Sequence, residues 1–219
     1  MTITDFIVND IEALQMDDTI GMAQDVFTQT TYSHVPVMQD SVYMGCLAEN
    51  DVHCLDADEK IHDHAHMLEG FYVREETLWL NILEAFGQNN TNIIPVLDEN
   101  NIYRGYYELT DIVNYFNNTP FLNEIGNIVI VEKGLWDYSF SEICQIVESN
   151  ESKVLGAFIS RMENDLAQIS IKIGRTGGMN EVLQSFRRYG YKVVSNHQED
   201  ALLNDLRERS QYLEKYLNI

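Results

Sequence analysis

The sequence predicts a mixed α+β chain in which two copies of one helix-strand-strand-helix unit are followed by a ferredoxin-like βαββαβ unit and a terminal helix. Three observations carry that prediction. A run of motifs in the first half returns in the same order about 59 residues later. After Pro120 the order of apolar runs changes to strand and helix in alternation. With 219 residues, 45% of them apolar, the chain can fill more than one core, at roughly 150 residues per domain.

In the first copy, Asp18-Thr19-Ile20 opens a helical pattern of Ile20, Ala23, Val26 and Phe27. His34-Val35-Pro36-Val37 follows, then Gly45-Cys46-Leu47-Ala48-Glu49-Asn50-Asp51-Val52. In the second copy, Glu76-Thr77-Leu78 opens the pattern Leu78, Ile82, Leu83, Phe86. Ile93-Ile94-Pro95-Val96 and Gly105-Tyr106-Tyr107-Glu108-Leu109-Thr110-Asp111-Ile112 complete it. The offset grows from 58 (Thr19 to Thr77) through 59 (Pro36 to Pro95) to 60 (Asp51 to Asp111), which implies two single-residue insertions.

Each copy has a physical reading. Thr19 and Thr77 are N-cap candidates, because a hydroxyl can accept from a free amide of the first helical turn. The apolar runs Val35 to Met38 with Val42 to Leu47, and Ile93 to Leu97 with Ile102 to Tyr107, are parted by polar turns and read as hairpins. A short strand precedes each unit, and a second helix starts near Glu49 and near Glu108.

Pro120 ends the repeat and 121–127 reads as a linker. Ile128 to Val131 is a strand, Ser139 to Ser149 a helix, and Val154 to Ser160 and Leu166 to Ile173 are strands. Asn180 is expected to cap a helix that Gly190 ends, and Tyr191 to Val194 is the last strand. Residues 198–218 read as an amphipathic helix with Leu202, Leu203, Leu206, Leu213, Tyr216 and Leu217 on its apolar stripe. It packs either on its own sheet or on a second copy. The expected domains are 1–70 and 71–120 for the repeats, 121–197 for the βαββαβ unit and 198–219 for the helix.

The paired units, each with an apolar-apolar-Pro-Val strand and a strand running from Gly45 or Gly105 to Asp51 or Asp111, resemble a tandem pair of CBS domains, the Bateman module. The βαββαβ unit behind them resembles an ACT-like domain, and the whole chain is similar to acetoin-utilisation-type CBS proteins. The resemblance implies a non-enzymatic regulatory sensor, with an adenosine-type ligand such as AMP, ATP or S-adenosylmethionine held in the clefts between the repeats and no required cofactor. It implies Asp51 and Asp111 as acceptors for ribose hydroxyls, with Val35, Ile94, Thr77 and Glu108 as further ligand-binding candidates. A hydroxyl residue usually stands three positions before the Asp, where this chain has Ala48 and Glu108. Glu108 would repel a phosphate unless Mg²⁺ or a base such as Arg104 intervened, so neutral, sulfonium-bearing or metal-escorted ligands are favoured. In ACT domains that bind amino acids a glycine closes the first strand-helix turn. Tyr138 stands there, with Gly134 slightly earlier as the alternative.

Charge narrows the partners. The chain has 14 Lys plus Arg against 35 Asp plus Glu, a net of −21 that repels a nucleic-acid backbone. Residues 1 to 70 hold 14 acids and a single base, Lys60. The rival reading of the same chain is a scaffold with empty clefts whose acidic face binds a basic protein partner. A homodimer is expected. No run approaches the roughly 18 apolar residues of a membrane span, and the start lacks a signal-peptide plan, so a soluble cytoplasmic protein without a membrane partner is expected.

Three isolated cysteines (Cys46, Cys54, Cys144) encode neither disulfides nor a zinc ribbon. In His62-Asp63-His64-Ala65-His66, His62 and His66 at a spacing of four could share a helix face as a metal pair, but no third ligand is set by spacing, and a solvated connector explains the segment better. Thr176-Gly177-Gly178 lacks the rest of a phosphate loop and reads as a tight turn. Cys144 reads as a core residue and His34 as a packed cleft-wall histidine. Tyr106, Tyr107 and Trp79 lie near the repeat clefts, where they could stack a purine or fill the core.

Overall fold

The computed structural model describes residues 3–174 and 178–195. The chain divides into two compact units, Met1–Asn117 and Asn118–Ile219.

Unit 1 holds the two repeats. In the first, β1 (Leu14–Gln15) leads to α1 (Ile20–Gln29), β2 (His34–Gln39), β3 (Val42–Ala48) and the one-turn α2 (Glu49–Val52). In the second, β4 (Val73–Arg74) leads to α3 (Trp79–Asn89), β5 (Ile93–Leu97), β6 (Tyr103–Glu108) and α4 (Leu109–Asn117). Each repeat has a three-stranded sheet, β1-β2-β3 or β4-β5-β6, whose first pair is parallel and second antiparallel. The hairpins share an irregularity, between Val37 and Met38 and between Val96 and Leu97, so the duplication extends to a register shift.

One correction follows at the helix starts. Thr19 caps α1, its Oγ1 accepting from the Met22 N–H at 3.3 Å. The N-cap of α3 is Leu78, not Thr77, and it makes no side-chain cap bond. The Thr77 hydroxyl instead accepts the Arg74 N–H at 3.0 Å, as the Asp18 carboxylate accepts that of Gln15 at 2.7 Å. Asp18 therefore corresponds to Thr77, and β1, α1 and β2 all map onto β4, α3 and β5 with the single offset of 59. One extra residue, in the turn between β5 and β6, completes the alignment.

The leader of each repeat crosses to the other repeat. Val8 pairs in both directions with Tyr106 on β6, and Glu69 pairs in both directions with Cys46 on β3. Gly45 (φ +146°) and Gly105 (φ +137°) sit beside these crossings. A Cβ at Gly45 would come within 3.0 Å of the Glu69 carbonyl, and one at Gly105 would run into the Val8 carbonyl. Glycine is needed at both positions for its positive φ and for the close backbone approach. Two cores result, one around Ile20, Phe27, Val35, Val37 and Leu47 and one around Ile82, Phe86, Ile94, Val96 and Tyr107.

Unit 2 runs α5 (Pro120–Asn123), β7 (Gly126–Gly134), α6 (Phe140–Ser149), β8 (Val154–Glu163), β9 (Leu166–Gly174), α7 (Met179–Arg188) and β10 (Lys192–Val193). The first three residues of the expected linker 121–127 belong to a helical turn opened by Pro120 at its first position, where the absent N–H costs nothing, and its last two belong to β7. The sheet order is β10-β7-β9-β8 with antiparallel neighbours, which is the ferredoxin-like arrangement. Alternate β9 residues Ala167, Ile169, Ile171 and Ile173 pack with Ile143, Val147, Leu183 and Phe186 of the helices into a third core. Ser139 caps α6, accepting from the Glu142 N–H at 3.4 Å. The N-cap of α7 is Gly178 rather than Asn180, and Gly190 (φ +81°) follows the helix as expected. Thr176, Gly177 and the expected helix at 198–218 lie outside the described residues. No helix of the described residues is long and apolar enough to cross a membrane.

Candidate functional site

Asp51 owes its place to the hairpin of the first repeat. β3 ends at Ala48, paired with His34 on β2, and the chain turns at once into α2. The turn is tied down where the Glu49 N–H donates to the Ser33 carbonyl at 2.9 Å. A cleft of about 340 Å³ opens there, lined by Ser33, His34, Ala48, Glu49, Asp51 and Glu69 with Asn50, Asn89 and Asn90. Three carboxylates face it and no Lys or Arg lines it.

His34 is the buried polar side chain of this cleft. Its Nδ1 lies 2.9 Å from the Ser33 hydroxyl and its Nε2 3.6 Å from the Glu69 carboxylate. Its ring meets Phe71 edge-on at 5.2 Å. Burial lowers its pKa below the ordinary histidine value, against the opposing pull of the Glu69 and Asp51 charges. A neutral His34 offers the cleft one donor or acceptor rather than a charge.

The second repeat builds the same turn with different side chains. β6 ends at Glu108, α4 begins at Leu109, and the Leu109 N–H donates to the Asn92 carbonyl at 2.9 Å. Here Tyr32 donates to the Glu108 carboxylate at 2.6 Å, and its hydroxyl lies 3.2 Å from that of Tyr106. Tyr106 in turn donates to Asp10. The Tyr32 and Tyr106 rings meet edge-on at 5.6 Å. Burial and the bond to Glu108 push the Tyr32 pKa up to about 12. Burial, then the Glu108 charge, raises the carboxyl pKa of Asp111.

A polar seam joins the two turns. The Ser33 N–H donates to the Asn92 side chain at 2.8 Å, and the Asn92 N–H returns to the Ser33 hydroxyl at 3.0 Å. The Asn92 amide also reaches the Thr31 carbonyl at 2.7 Å. Thr91, the counterpart of Tyr32, turns its hydroxyl to the Ile93 carbonyl at 2.8 Å and to Ser33 at 3.2 Å.

The remaining sequence candidates take other places. Val35 and Ile94 are buried in the two repeat cores rather than on cleft walls, because alternation puts His34 and Ile93 on the other strand face. Thr77 closes the turn after β4, as described above. Arg104 is not available to Glu108, since its guanidinium lies 2.9 Å from Asp98 and 3.6 Å from Glu75. Those residues with Arg74 line a larger cavity of about 560 Å³, but both arginines there are already engaged, Arg74 by the Asp98 carbonyl and by Asn101 at 2.6 Å. Tyr107 belongs to the second core, and Trp79 stacks on Phe116 at 5.2 Å.

The histidine segment Ile61–Met67 is a 3-10 run kinked at His64, so a spacing of four does not align His62 with His66 as it would on an α-helix. His62 pairs with Asp63 and His64 with Glu59. Among the described residues no group of three or more His, Cys, Asp or Glu is placed to hold a metal. Cys46 is buried, Cys54 exposed, and Cys144 half-buried rather than a core residue. In unit 2, Gly134 ends β7 and its carbonyl accepts from the Asp137 and Tyr138 N–H groups, while Tyr138 packs on the third core. Lys133 bridges Glu142 at 2.7 Å and lies over the Tyr191 ring at 4.2 Å.

Sequence reasoning missed Glu69 and Tyr32. Both come from outside the repeat whose turn they face, and only the crossing of Glu69 to Cys46 and the seam at Ser33 bring them there.

No family model matches the chain, and no curated protein matches it. Solved structures do. A CBS domain pair/ACT domain protein from Thermotoga maritima is 19% identical, over 53% of this chain and 96% of that one, with a TM-score of 0.48. The CBS domains of a transcriptional regulator from Streptococcus pneumoniae are 18% identical, over 52% of this chain and 98% of that one, with a TM-score of 0.46. A CBSX2 structure in complex with AMP is 15% identical, over 52% and 95%, with a TM-score of 0.46.

Proposed function

We propose that unit 1 is a CBS-type ligand sensor and that its working site is the Asp51 cleft. The observation that carries this reading is an open cleft of about 340 Å³ with Asp51 in its lining and carboxylates as its only charged lining. That volume falls in the range of small-molecule sites. A cis-diol presents two O–H donors side by side, and a carboxylate such as Asp51 can accept both. The Asn50, Asn89 and Asn90 amides offer donors and acceptors for a base edge. With Glu49 and Glu69 also present, the cleft disfavours a bare phosphate chain and favours a neutral or cationic nucleoside, adenosine or S-adenosylmethionine before AMP or ATP. Unit 2 reads as an ACT-like partner domain in a homodimer, and ligand binding shifts the population of its assemblies. The role is regulatory rather than catalytic.

Isothermal titration calorimetry of adenosine, S-adenosylmethionine, AMP and Mg²⁺-ATP tests this. Saturable heat is expected for the first two, about 10- to 100-fold weaker in Asp51→Ala, as befits loss of hydrogen bonds to a charged acceptor worth about 1.5–3 kcal/mol. Flat titrations with all four ligands, or binding untouched by Asp51→Ala, overturn it. The rival reading, a scaffold that binds a basic partner, draws on the 21 acidic against three basic residues of unit 1. It predicts salt-sensitive capture of a cationic protein and no nucleoside response.

A further inference from the structure

The duplication supplies its own control, because each position around the Asp111 turn has a counterpart around the Asp51 turn. Glu108 corresponds to Ala48, Tyr32 to Thr91 and Tyr106 to Cys46. At the Asp51 turn these three side chains leave a cleft. Ala48 projects only a methyl group, Thr91 folds back on its own strand, and Cys46 is buried in the second core. At the Asp111 turn the counterparts are long and polar, held by hydrogen bonds to carboxylates and by ring contact. Tyr32 reaches across the seam from the first repeat to Glu108 at 2.6 Å, rests edge-on against Tyr106, and Tyr106 is fixed by Asp10. Thr110 adds a hydroxyl to the second Glu108 oxygen at 3.2 Å.

Each phenol has one proton, and both are committed to carboxylates, which are stronger acceptors than a phenol oxygen. The arrangement is anchored at both ends, since Asp10 follows the crossing leader at Val8 and Glu108 sits on the last residue of β6. A guest at Asp111 would lie beside the Glu108 carboxylate, whose charge already helps to raise the Asp111 pKa, and Tyr32 is bonded to that carboxylate.

We infer that the Asp111 turn is a latent second ligand site held shut by a side-chain latch, Tyr32 fastened to Glu108 and Tyr106, so that the chain takes one ligand rather than two. The inference rests on the reading of Asp51 as the open site only for the ligand class. The latch itself is a matter of Tyr32 and Glu108.

The test replaces the latch by the residues of the open turn, Tyr32→Thr with Glu108→Ala, and counts adenosine and S-adenosylmethionine sites by calorimetry. Circular dichroism and thermal melts establish that the variants fold, and Glu108→Ala alone serves if the double variant does not. Two sites per chain in the variant against one in the wild type, the added site abolished by Asp111→Ala, are the expected result. The reciprocal pair Thr91→Tyr with Ala48→Glu should remove the wild-type site. An unchanged count in the variant, two sites already present in the wild type, or no binding in any variant overturns the latch. If the wild type binds nothing and the opened variant binds one ligand that survives Asp51→Ala, the latch stands and the Asp51 reading fails.

Discussion

At the scale of single residues, His34 and the two motif glycines show how the same backbone turn makes different demands on a side chain. His34 is buried against Phe71 and faces Ser33, Glu69 and Asp51. Because burial lowers its folded pKa, the unfolded chain binds the proton more readily. The contribution of a neutral His34 to stability is therefore complete above the unfolded value of about 6.5 and declines as pH falls toward the folded value. Urea melts of the wild type and His34→Gln between pH 7.5 and 5 should show the wild type losing more stability, with the gap opening below about pH 6.5. Parallel pH profiles would contradict this account. Gly105 poses the sharper steric case, since a side chain there needs positive φ and meets the Val8 carbonyl directly. Gly105→Ala should cost about 2–3 kcal/mol by denaturant melt, and Gly45→Ala less, because its nearest contacts lie at 3.0 Å.

At the scale of elements, the two copies of one helix start differently. Thr19 gives α1 an N-cap bond that Leu78 cannot give α3, although both residues have the extended backbone of an N-cap. Thr19→Ala should lower stability by about 1 kcal/mol. Leu78→Ser should raise it by about 0.5–1 kcal/mol, since Leu78 is 70% exposed and gives up little burial. Equal and opposite shifts in the two melts would show that the caps act locally. No gain in Leu78→Ser would mean that the exposed leucine is held by contacts with something outside this chain. The strands show the opposite economy. The short β1 and β4 survive as two-residue pairs because each lies parallel to a largely buried partner, β2 or β5.

At the scale of the whole molecule, the three cores divide cleanly between the units. Two draw only on residues 3–112 and the third only on residues 129–193. A chain ending at Asn117 should therefore unfold cooperatively and retain the nucleoside binding proposed for the Asp51 cleft, as chemical denaturation and calorimetry of that fragment would reveal. A fragment that melts without a transition would show that unit 2 is needed to complete unit 1. Charge divides as unevenly as the cores, since 21 of the 35 acidic residues but only three of the 14 basic ones lie in unit 1. Self-repulsion at that density should make unit 1 more stable in 0.5 M than in 0.02 M sodium chloride, because added salt shortens the screening length.

The amino-acid sequence encodes the duplication, the hairpins, the strand that leads each repeat and the βαββαβ order of unit 2. All of these are written in local periodicity, turn residues and paired prolines, which depend on neighbours a few positions apart. It also placed Asp51 and Asp111 just past their Gly-led strands, and His34 on a cleft wall. It misjudged where α3 begins, because Thr77 has the chemistry of a cap but spends it on the turn at Arg74. It put Val35 and Ile94 at the cleft, where strand alternation turns both into the cores. Which of two matched turns is open depends on contacts between distant residues. That choice rests on Tyr32 meeting Glu108 76 residues away and Tyr106 meeting Asp10 96 residues away, contacts that no local pattern encodes. The first exists because the Ser33–Asn92 seam joins the two turns and the second because the leader at Val8 crosses to β6, so the residues that shape a cleft come from both halves of the duplication.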